Sequence, residues 1–583
     1  MLPIGVDCDS IPEVFTDCKV KTCPQSTAFT HVFRVIQNIK MTVISEDLSS
    51  IIGRTIIHND NIIRIILNIN DDGLQCFTVI KGGNNNAALQ TGQLLFDRCK
   101  IVHLPYSGKV RKGTNVRKRQ RPLFVTFAEE FTRLNVTMKI LLINPPRSPE
   151  NNILKFAPEE AKHYIHKKLI GPPLGLLTIA SAVKDHDVVL FDAKGEYDLD
   201  PATPPLPELV KKLLEIHKPG MVGVTTITSE FDYSIEIFQT VKAVDPSILT
   251  VAGGLHATLC PMDFTDPSVD VVIPGQCTHI FRDVVNAKEA GRDLSSIPGI
   301  LINSNDGLTR TKGTARLIDN IEEDYLFPDR SHLQRWIDTY KVGGSPFPST
   351  YVYTSLGCPY RCTFCSIWTQ FRGKYFQRSV ESLITELKSI DEYPVVRFAD
   401  ANTIVDLDFI CLLFDRIREE GIIKTIIMDI RADIVVQQPD LIEKLAKGGL
   451  KVVICGFESF RDKELKQYHK DSPARYNHEA IKIFEQNGIM VRGNYVIPVD
   501  YGVDDFEALA EYSSRYRVVY AGYTILTPMP GTVYYNQVKN QIIDKNYKKY
   551  NFFNSVMKTA LPHDEFHERV GALWLIKKGD DVI

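Results

Sequence analysis

Ser355-Leu-Gly-Cys358-Pro-Tyr-Arg-Cys362-Thr-Phe-Cys365-Ser-Ile-Trp368 sets three thiols on one short loop. The segment before it, 350–355, reads as an apolar strand, so the loop lies at a strand's carboxyl end. Thiolates are the ligands of iron in a 4Fe–4S cube, which has four corners. Three protein ligands hold three irons and leave the fourth open to a small chelating molecule. A structural or electron-transfer cluster normally takes a fourth cysteine, and none lies near in sequence. Tetrahedral zinc with a remote fourth ligand stays open as a second reading, although a three-residue gap followed by a two-residue gap is unusual for zinc pairs.

Downstream of the loop, strand and helix alternate over 346–530. Strands are predicted at 350–355, 395–399, 425–430, 452–455, 490–497 and 520–526, with helices at 380–390, 407–419, 439–447 and 474–487. Six such units suit a partial (β/α)6 TIM-type barrel, whose chemistry sits at the strand carboxyl ends. Upstream, 301–345 is polar and turn-rich, a linker. Residues 138–300 alternate again, with strands at 139–143, 187–191, 221–225, 248–252 and 269–273 and helices at 174–183, 207–216 and 233–244. Loops with Pro or Gly follow several strands, the pattern of a Rossmann-like doubly wound domain. The expected fold is therefore α/β, two layered domains in series.

Met138-Lys-Ile-Leu-Leu-Ile-Asn-Pro-Pro opens that domain so abruptly that Met138 is the expected original start. On this reading 1–137 is an N-terminal extension of open role, with β-like runs near 62–69 and a basic run over 109–121 that reads as a solvated linker. If translation begins at Met138, mass spectrometry of the native protein finds no peptide from 1–137. The tail 531–583, rich in aromatics and lysine near 547–553, is expected to cap the barrel.

Composition narrows the partners. A formal charge of −3 gives no global attraction to nucleic acid or to an anionic membrane. No apolar run is long enough to cross a bilayer, and the first residues lack the order of a secretory signal. The 12 cysteines are scattered rather than spaced as a disulfide scaffold, which fits a reducing, cytoplasmic setting. Cys260, Cys277, Cys411 and Cys455 lie in or beside apolar segments and read as inert thiols.

Cys-x-x-x-Cys-x-aromatic-Cys, with Phe364 at the aromatic position, resembles the signature of the radical S-adenosylmethionine (SAM) superfamily. The resemblance implies that Cys358, Cys362 and Cys365 hold a 4Fe–4S cluster whose open iron binds the amino and carboxylate groups of SAM. An electron then splits the sulfonium, and the resulting 5′-deoxyadenosyl radical removes a substrate hydrogen. An external one-electron reductant of flavodoxin or ferredoxin type is implied too. Arg397-Phe-Ala-Asp400-Ala-Asn402 occupies the place of the family's Gly-Gly-Glu-type element, so Asp400 or Asn402 is expected near the SAM amino group. Arg431 ends the third strand and is expected to face the SAM carboxylate. Cys455-Gly-Phe-Glu458-Ser459 resembles the family's Gly-x-Glu-Ser strand end, with Glu458 toward the cofactor. Helix capping and ordinary ion pairs are the plainer readings of these groups.

Thr527-Pro-Met-Pro530-Gly-Thr532 resembles a turn common where a cobalamin-binding domain precedes the barrel, and 138–300 looks like such a domain. Asn144 follows its first strand, Gly175 lies where the next helix opens, Thr225 ends its third strand, Gly253-Gly254-Leu-His256 follows its fourth, and Gly275 its fifth. Glycines after strands let backbone approach a large ligand closely. The Asp-x-His-x-x-Gly motif of cobalt-ligating cobalamin domains is absent, so His256 is expected to line the cofactor edge or cap a turn rather than bind cobalt. A generic nucleotide-binding sheet, or a scaffold without ligand, remains open for this domain. Together the resemblances imply methylation of an unactivated carbon of a lipid, natural product or protein side chain. A cyclase or rearrangement enzyme with the same cofactors is the first rival, and a cobalamin and iron–sulfur sensor without turnover is the second.

Overall fold

The structure is a computed structural model that describes residues 42–45, 52–58, 61–70, 73–82, 90–93, 138–165, 171–304, 306–314, 318, 320–342, 345–516 and 521–576. The chain divides into two compact units, Met1–Asn135 and Val136–Ile583. In the first, strands β1 (Thr42–Ser45), β2 (Ile52–His58), β3 (Asn61–Asn70), β4 (Gly73–Gly82) and β5 (Gln90–Gln93) pair antiparallel in sequence order. The β-like run at 62–69 falls within β3. The basic run at 109–121 lies outside the described residues.

The second unit begins with an α/β sheet. Its strands are β6 (Lys139–Asn144), β7 (Asp187–Asp192), β8 (Met221–Thr225), β9 (Leu249–Gly253), β10 (Val271–Val272), β11 (Leu301–Ser304) and β12 (Gly307–Arg310), in the order β12-β11-β10-β9-β8-β6-β7. The parallel part, β7-β6-β8-β9-β10, has the flavodoxin-like order, with its switch between β6 and β8. Central strand β6 is apolar on both faces because helices cover both. Ile140 and Leu142 pack under helices Leu174–Ala182 and Thr278–Glu289, while Leu141 and Ile143 pack under Leu206–His217 and Phe231–Val244.

The 301–345 segment is built into this layer rather than strung beyond it. Hairpin β11–β12 extends the sheet antiparallel, and Leu333, Trp336 and Tyr340 enter its core. Polar half-exposed residues on an edge hairpin hide the strand signal, and three spaced apolar anchors help to dock the rest.

Beyond it lie β13 (Ser349–Val352), β14 (Ser355–Gly357), β15 (Tyr375–Gln377), β16 (Val395–Phe398), β17 (Thr425–Ile430), β18 (Leu450–Glu458), β19 (Met490–Ile497) and β20 (Gly522–Ile525). Strands β13-β16-β17-β18-β19-β20 run parallel and pair in that order, an open half-barrel of six. The pleat sorts side chains by face. On β19, Val491, Tyr495 and Ile497 join the core under the outer helices, whereas Met490, Arg492 and Asn494 alternate onto the opposite, lumen face. The strand expected at 350–355 breaks after Val352. Ser355–Gly357 turns away to pair antiparallel with Tyr375–Gln377, which closes the cysteine loop at its base. The tail helix His563–Leu573 packs through Phe566 and Val570 into the barrel core beside Ile153 and Ala157, residues that follow β6.

Candidate active site

The cysteine loop is fixed at its base, its tip and its flank. Gly357 has φ +84°, and a Cβ there would lie 2.2 Å from the Lys374 carbonyl oxygen, so only glycine lets the two arms of the loop close. Trp368 Nε1 donates to the Cys362 carbonyl at 2.8 Å, and the Arg361 guanidinium lies over the Trp368 ring at 5.0 Å. Thr363 N–H donates to the Tyr468 carbonyl at 3.0 Å, and its own carbonyl accepts from Tyr534 N–H at 2.8 Å. Phe364 meets Tyr468 edge to face, with centroids 5.6 Å apart. The aromatic of the motif thus holds the loop against the end of the barrel.

Asp400 is buried and anchors the loop's first arm. Its carboxylate accepts from Thr354 N–H (2.8 Å), Thr354 Oγ1 (2.6 Å) and Ser355 N–H (2.9 Å). Burial pushes its pKa up to about 6, against the lowering effect of those hydrogen bonds. Asn402 donates through Nδ2 to the Ile404 carbonyl at 2.9 Å, and its buried Oδ1 has no hydrogen-bond partner. Of the two polar residues read near the SAM amino group, Asp400 is committed to the loop, while Asn402 keeps a free acceptor at the end of β16.

Two cations flank the thiols. The Arg431 guanidinium stacks over Tyr360, inside the cysteine motif, at 3.8 Å; it also donates to Asp433 (Nη2–Oδ2, 2.7 Å) and to the Lys470 carbonyl (2.6 Å). Lys470 Nζ donates to Glu458 at 3.0 Å, and Glu458 holds φ +62° at a register shift that ends β18. Burial works against the Lys470 ammonium, but Glu458 and the Cys362 sulfur outweigh it and keep its pKa above the usual lysine value. Burial raises all three cysteine thiols, Cys365 to about 11, and Arg431 and Lys470 oppose that rise at Cys358 and Cys362. Metal binding therefore has to displace three protons. Among the described residues, the trio of ligand atoms gathered within 4.8 Å is His256, Cys260 and Asp263, and the three motif sulfurs stand farther apart. One zinc ion would draw them together; the separate irons of a cubane do not. The donor set, its spread, the flanking cations and the free Asn402 oxygen fit a cluster with one open iron.

A cleft runs from the carboxyl edge of the first sheet to this loop. Gly175, Thr225, Gly253, Gly254 and Gly275 line one wall; Tyr353, Ser355–Gly357 and Asp400 line the other. A Cβ at Gly175, Gly253 or Gly275 would meet nothing within 4 Å, so these positions leave open a cradle that side chains would fill. Gly254 shares a positive φ with Gly275 (+93° and +85°), but at Gly254 a Cβ would also sit 2.6 Å from Thr226 N. This cradle, wide and backbone-lined, fits a corrinoid. His279 Nε2, 2.6 Å from Asp324 Oδ1, also stands on the cleft wall. Asn144 and His256 lie outside the lining. Asn144 Nδ2 donates to Asp192 at 2.7 Å, and His256 is buried among Phe231, Phe264 and Tyr547.

Sequence reading missed Lys470, Tyr360, Asp433, His279 and Asp324. None carries a local motif except Tyr360, which sits inside the cysteine signature where only its ring's later contact with Arg431 gives it meaning.

The cradle sets up a paired prediction. Gly253→Val leaves the fold intact and loses cobalamin, because its branches enter open cleft. Gly254→Ala instead lowers the melting temperature, because both φ and space forbid a Cβ. Thermal melts with corrinoid absorbance check both; equal behaviour of the two variants would contradict the cleft assignment.

Asp400 gives a pH prediction. Its folded pKa lies above the unfolded value near 3.9, so between about pH 4 and 6 the folded chain binds the extra proton. The stabilisation from this carboxyl is full below about pH 4 and is lost as pH rises through about 6, on the order of 3 kcal/mol in total. The stability difference between wild type and Asp400→Asn should follow that curve in denaturant titrations at stepped pH; a flat difference would refute it.

The profile of the Radical SAM superfamily matches residues 352–512, and that of the B12 binding domain matches 165–285. An uncharacterized methyltransferase of Pyrococcus horikoshii is 30% identical over 434 residues, which cover 72% of this chain and 88% of that protein. The hopanoid C-3 methylase of Methylococcus capsulatus is 23% identical over 401 residues, 68% of this chain and 74% of its own. Among solved structures, the cobalamin-dependent SAM radical enzyme OxsB, with aqua-cobalamin and SAM bound, superposes at a TM-score of 0.59 with 13% identity, covering 93% of this chain and 77% of that one. That likeness is one of fold. No described helix is long and apolar enough to cross a membrane. Two family profiles falling in order on the sheet and the half-barrel, together with so extended a relative, place this chain in the radical SAM superfamily, as a cobalamin-binding enzyme that works with a 4Fe–4S cluster and SAM.

Proposed function

We propose that this enzyme methylates an unactivated carbon. One observation carries the reading: a single cleft is lined by the glycine-rich edge of the cobalamin-binding sheet and by the strand ends that carry the cysteine loop. Bound there, the cluster and SAM supply a hydrogen-abstracting radical, and the corrinoid carries the methyl group that an alkyl carbon, lacking a lone pair, cannot take as a cation.

The chain's own residues divide the remaining work. Cys358, Cys362 and Cys365 anchor three irons, and Phe364 with Trp368 fixes their loop. Asn402 Oδ1, buried without a partner, would accept from the SAM amino group, while Asp400 holds the arm that the loop hangs from. Arg431 and Lys470 offset negative charge at the thiolates, and Glu458 keeps Lys470 in place. Gly175, Gly253 and Gly275 leave room for the corrinoid, and Thr225 offers it a hydroxyl. Residues 138–300 thus serve as the cobalamin domain and 346–530 as the SAM barrel. Radical SAM enzymes need an external one-electron reductant; a flavodoxin or ferredoxin of a reducing cytoplasm, the setting that the scattered cysteines fit, would supply it.

The 30%-identical methyltransferase relative supports methyl transfer over ring formation. Incubation with reductant, methyl-labelled SAM and candidate lipids, natural products or peptides tests it. Methyl transfer yields labelled product with both 5′-deoxyadenosine and S-adenosylhomocysteine. Product formed with 5′-deoxyadenosine alone would assign the cyclase or rearrangement class instead.

A further inference from the structure

We infer that His256, Cys260 and Asp263 form a mononuclear zinc site, separate from the cysteine cluster and from the cofactor cleft. Helix Gly254–Leu259 follows β9 and presents His256; Cys260 caps its end one turn later, and the short 3-10 turn Pro261–Asp263 returns Asp263 toward the ring. One ligand atom from each, an imidazole nitrogen, a sulfur and a carboxylate oxygen, lies within 4.8 Å of the others.

The histidine points to the ligand. It is 1% exposed, and Phe231, Phe264 and Tyr547 surround its ring. Nδ1 stands 3.2 Å from Thr228 Oγ1, a hydroxyl able to accept from Nδ1–H in the tautomer that a metal at Nε2 requires. In that tautomer the Nε2 lone pair is free for a ligand. Nε2 has no hydrogen-bond partner; Asp263 Oδ2 lies 3.1 Å away, but off the line of a hydrogen bond. In that tautomer both are acceptors, and at this separation they repel unless a proton or a metal ion lies between them. With metal–nitrogen and metal–oxygen bonds of about 2.0–2.2 Å, adjacent ligands of a tetrahedron stand about 3.3 Å apart. The observed spacing is close to that edge.

The ligand set chooses the metal. A thiolate with an imidazole and a carboxylate suits borderline-soft zinc, not magnesium or calcium. Binding displaces the Cys260 thiol proton to solvent and leaves a fourth position beside Tyr547, whose hydroxyl donates to Asp263 Oδ2 at 2.7 Å. Tyr547 belongs to the C-terminal tail, so the ion would tie that tail to the loop that carries Gly253 and Gly254. It would also give Cys260 a role beyond that of an inert thiol.

The test uses the full chain with Cys358, Cys362 and Cys365 replaced by alanine, so that the cluster thiols cannot take zinc. Metal analysis after equilibration with zinc and desalting is expected to find one zinc per chain. Its X-ray absorption should show a single sulfur at about 2.3 Å, lost in Cys260→Ala. Thr228→Val, which removes only the Nδ1 partner, should weaken zinc about tenfold or more. Asp263→Asn, at a half-exposed position, serves as the ligand variant if a His256 substitution fails to fold. Absence of stoichiometric zinc in the parent, or zinc content unchanged in both Cys260→Ala and Asp263→Asn, would overturn the site.

Discussion

Cys362→Ala is expected to abolish reductive cleavage of SAM while leaving the chain folded, and Cys358→Ala and Cys365→Ala should do the same. Each iron needs its own thiolate, and a cube held at two corners is lost or misplaced. The fold has no such dependence. The barrel core runs from Val352 through Val396, Met428, Val453 and Ile497 to Phe566, and no motif cysteine belongs to it. Cys362, although itself buried, sits on a loop that Asp400, Gly357 and Trp368 hold independently of iron. The readouts are 5′-deoxyadenosine formed by anaerobically reconstituted protein, iron content, and circular dichroism. Global unfolding of Cys362→Ala would mean that the cluster organises the barrel, and retained SAM cleavage would mean that the thiol is no ligand.

Glu386→Ala is expected to cost the second unit about 3–5 kcal/mol, the usual loss when one partner of a buried ion pair is removed. Glu386 is fully buried between two buried arginines. Arg330 Nη2 donates to its Oε1 at 2.7 Å and Arg378 Nη1 to its Oε2 at 2.6 Å. Arg330 also donates to the Tyr351 carbonyl (2.7 Å), and Arg378 to the Tyr353 carbonyl (2.9 Å). One carboxylate thus joins the 301–345 segment, the end of β13 and the strand that follows the cysteine loop. Without it, two guanidinium groups remain buried with no counter-charge. Typical domain stabilities are about 5–15 kcal/mol, so the loss should be plain in a denaturant titration. Glu386→Gln, which keeps the shape and removes the charge, should fall between wild type and alanine. A loss below about 1 kcal/mol for Glu386→Ala would show that water reaches the pair.

Much of this architecture is legible in the sequence because its strands obey simple periodicities. Lys139–Asn144 and Met221–Thr225 are continuous apolar runs since both sheet faces are covered, and runs of that kind need no partner to be recognised. Amphipathic helices such as Leu206–His217 and Leu407–Glu419 are read the same way. The cysteine loop is legible because ligand spacing is local. What resists reading depends on partners distant in sequence. Asp400 reads as a cofactor contact, and its oxygens also accept from Thr354 and Ser355, partners the local sequence does not announce. Lys470 carries no motif, and its meaning comes from Glu458 across a turn. His256 follows a glycine pair that lines the cleft, yet its ring turns away toward Asp263 and the distant Tyr547. Trp336, with Leu333 and Tyr340, docks a polar stretch, and its indole Nε1 donates to Glu196 at 2.8 Å.

Electron paramagnetic resonance of the reduced, anaerobically purified protein, recorded with and without SAM, probes the vacant corner most directly. If three cysteines leave one iron exchangeable, SAM binds there and changes the spectrum of the reduced cube, and the triple-alanine variant shows no cluster signal. A four-iron signal that SAM leaves unchanged would mean that another side chain fills the last position, and the radical chemistry assigned to this chain would fall with it.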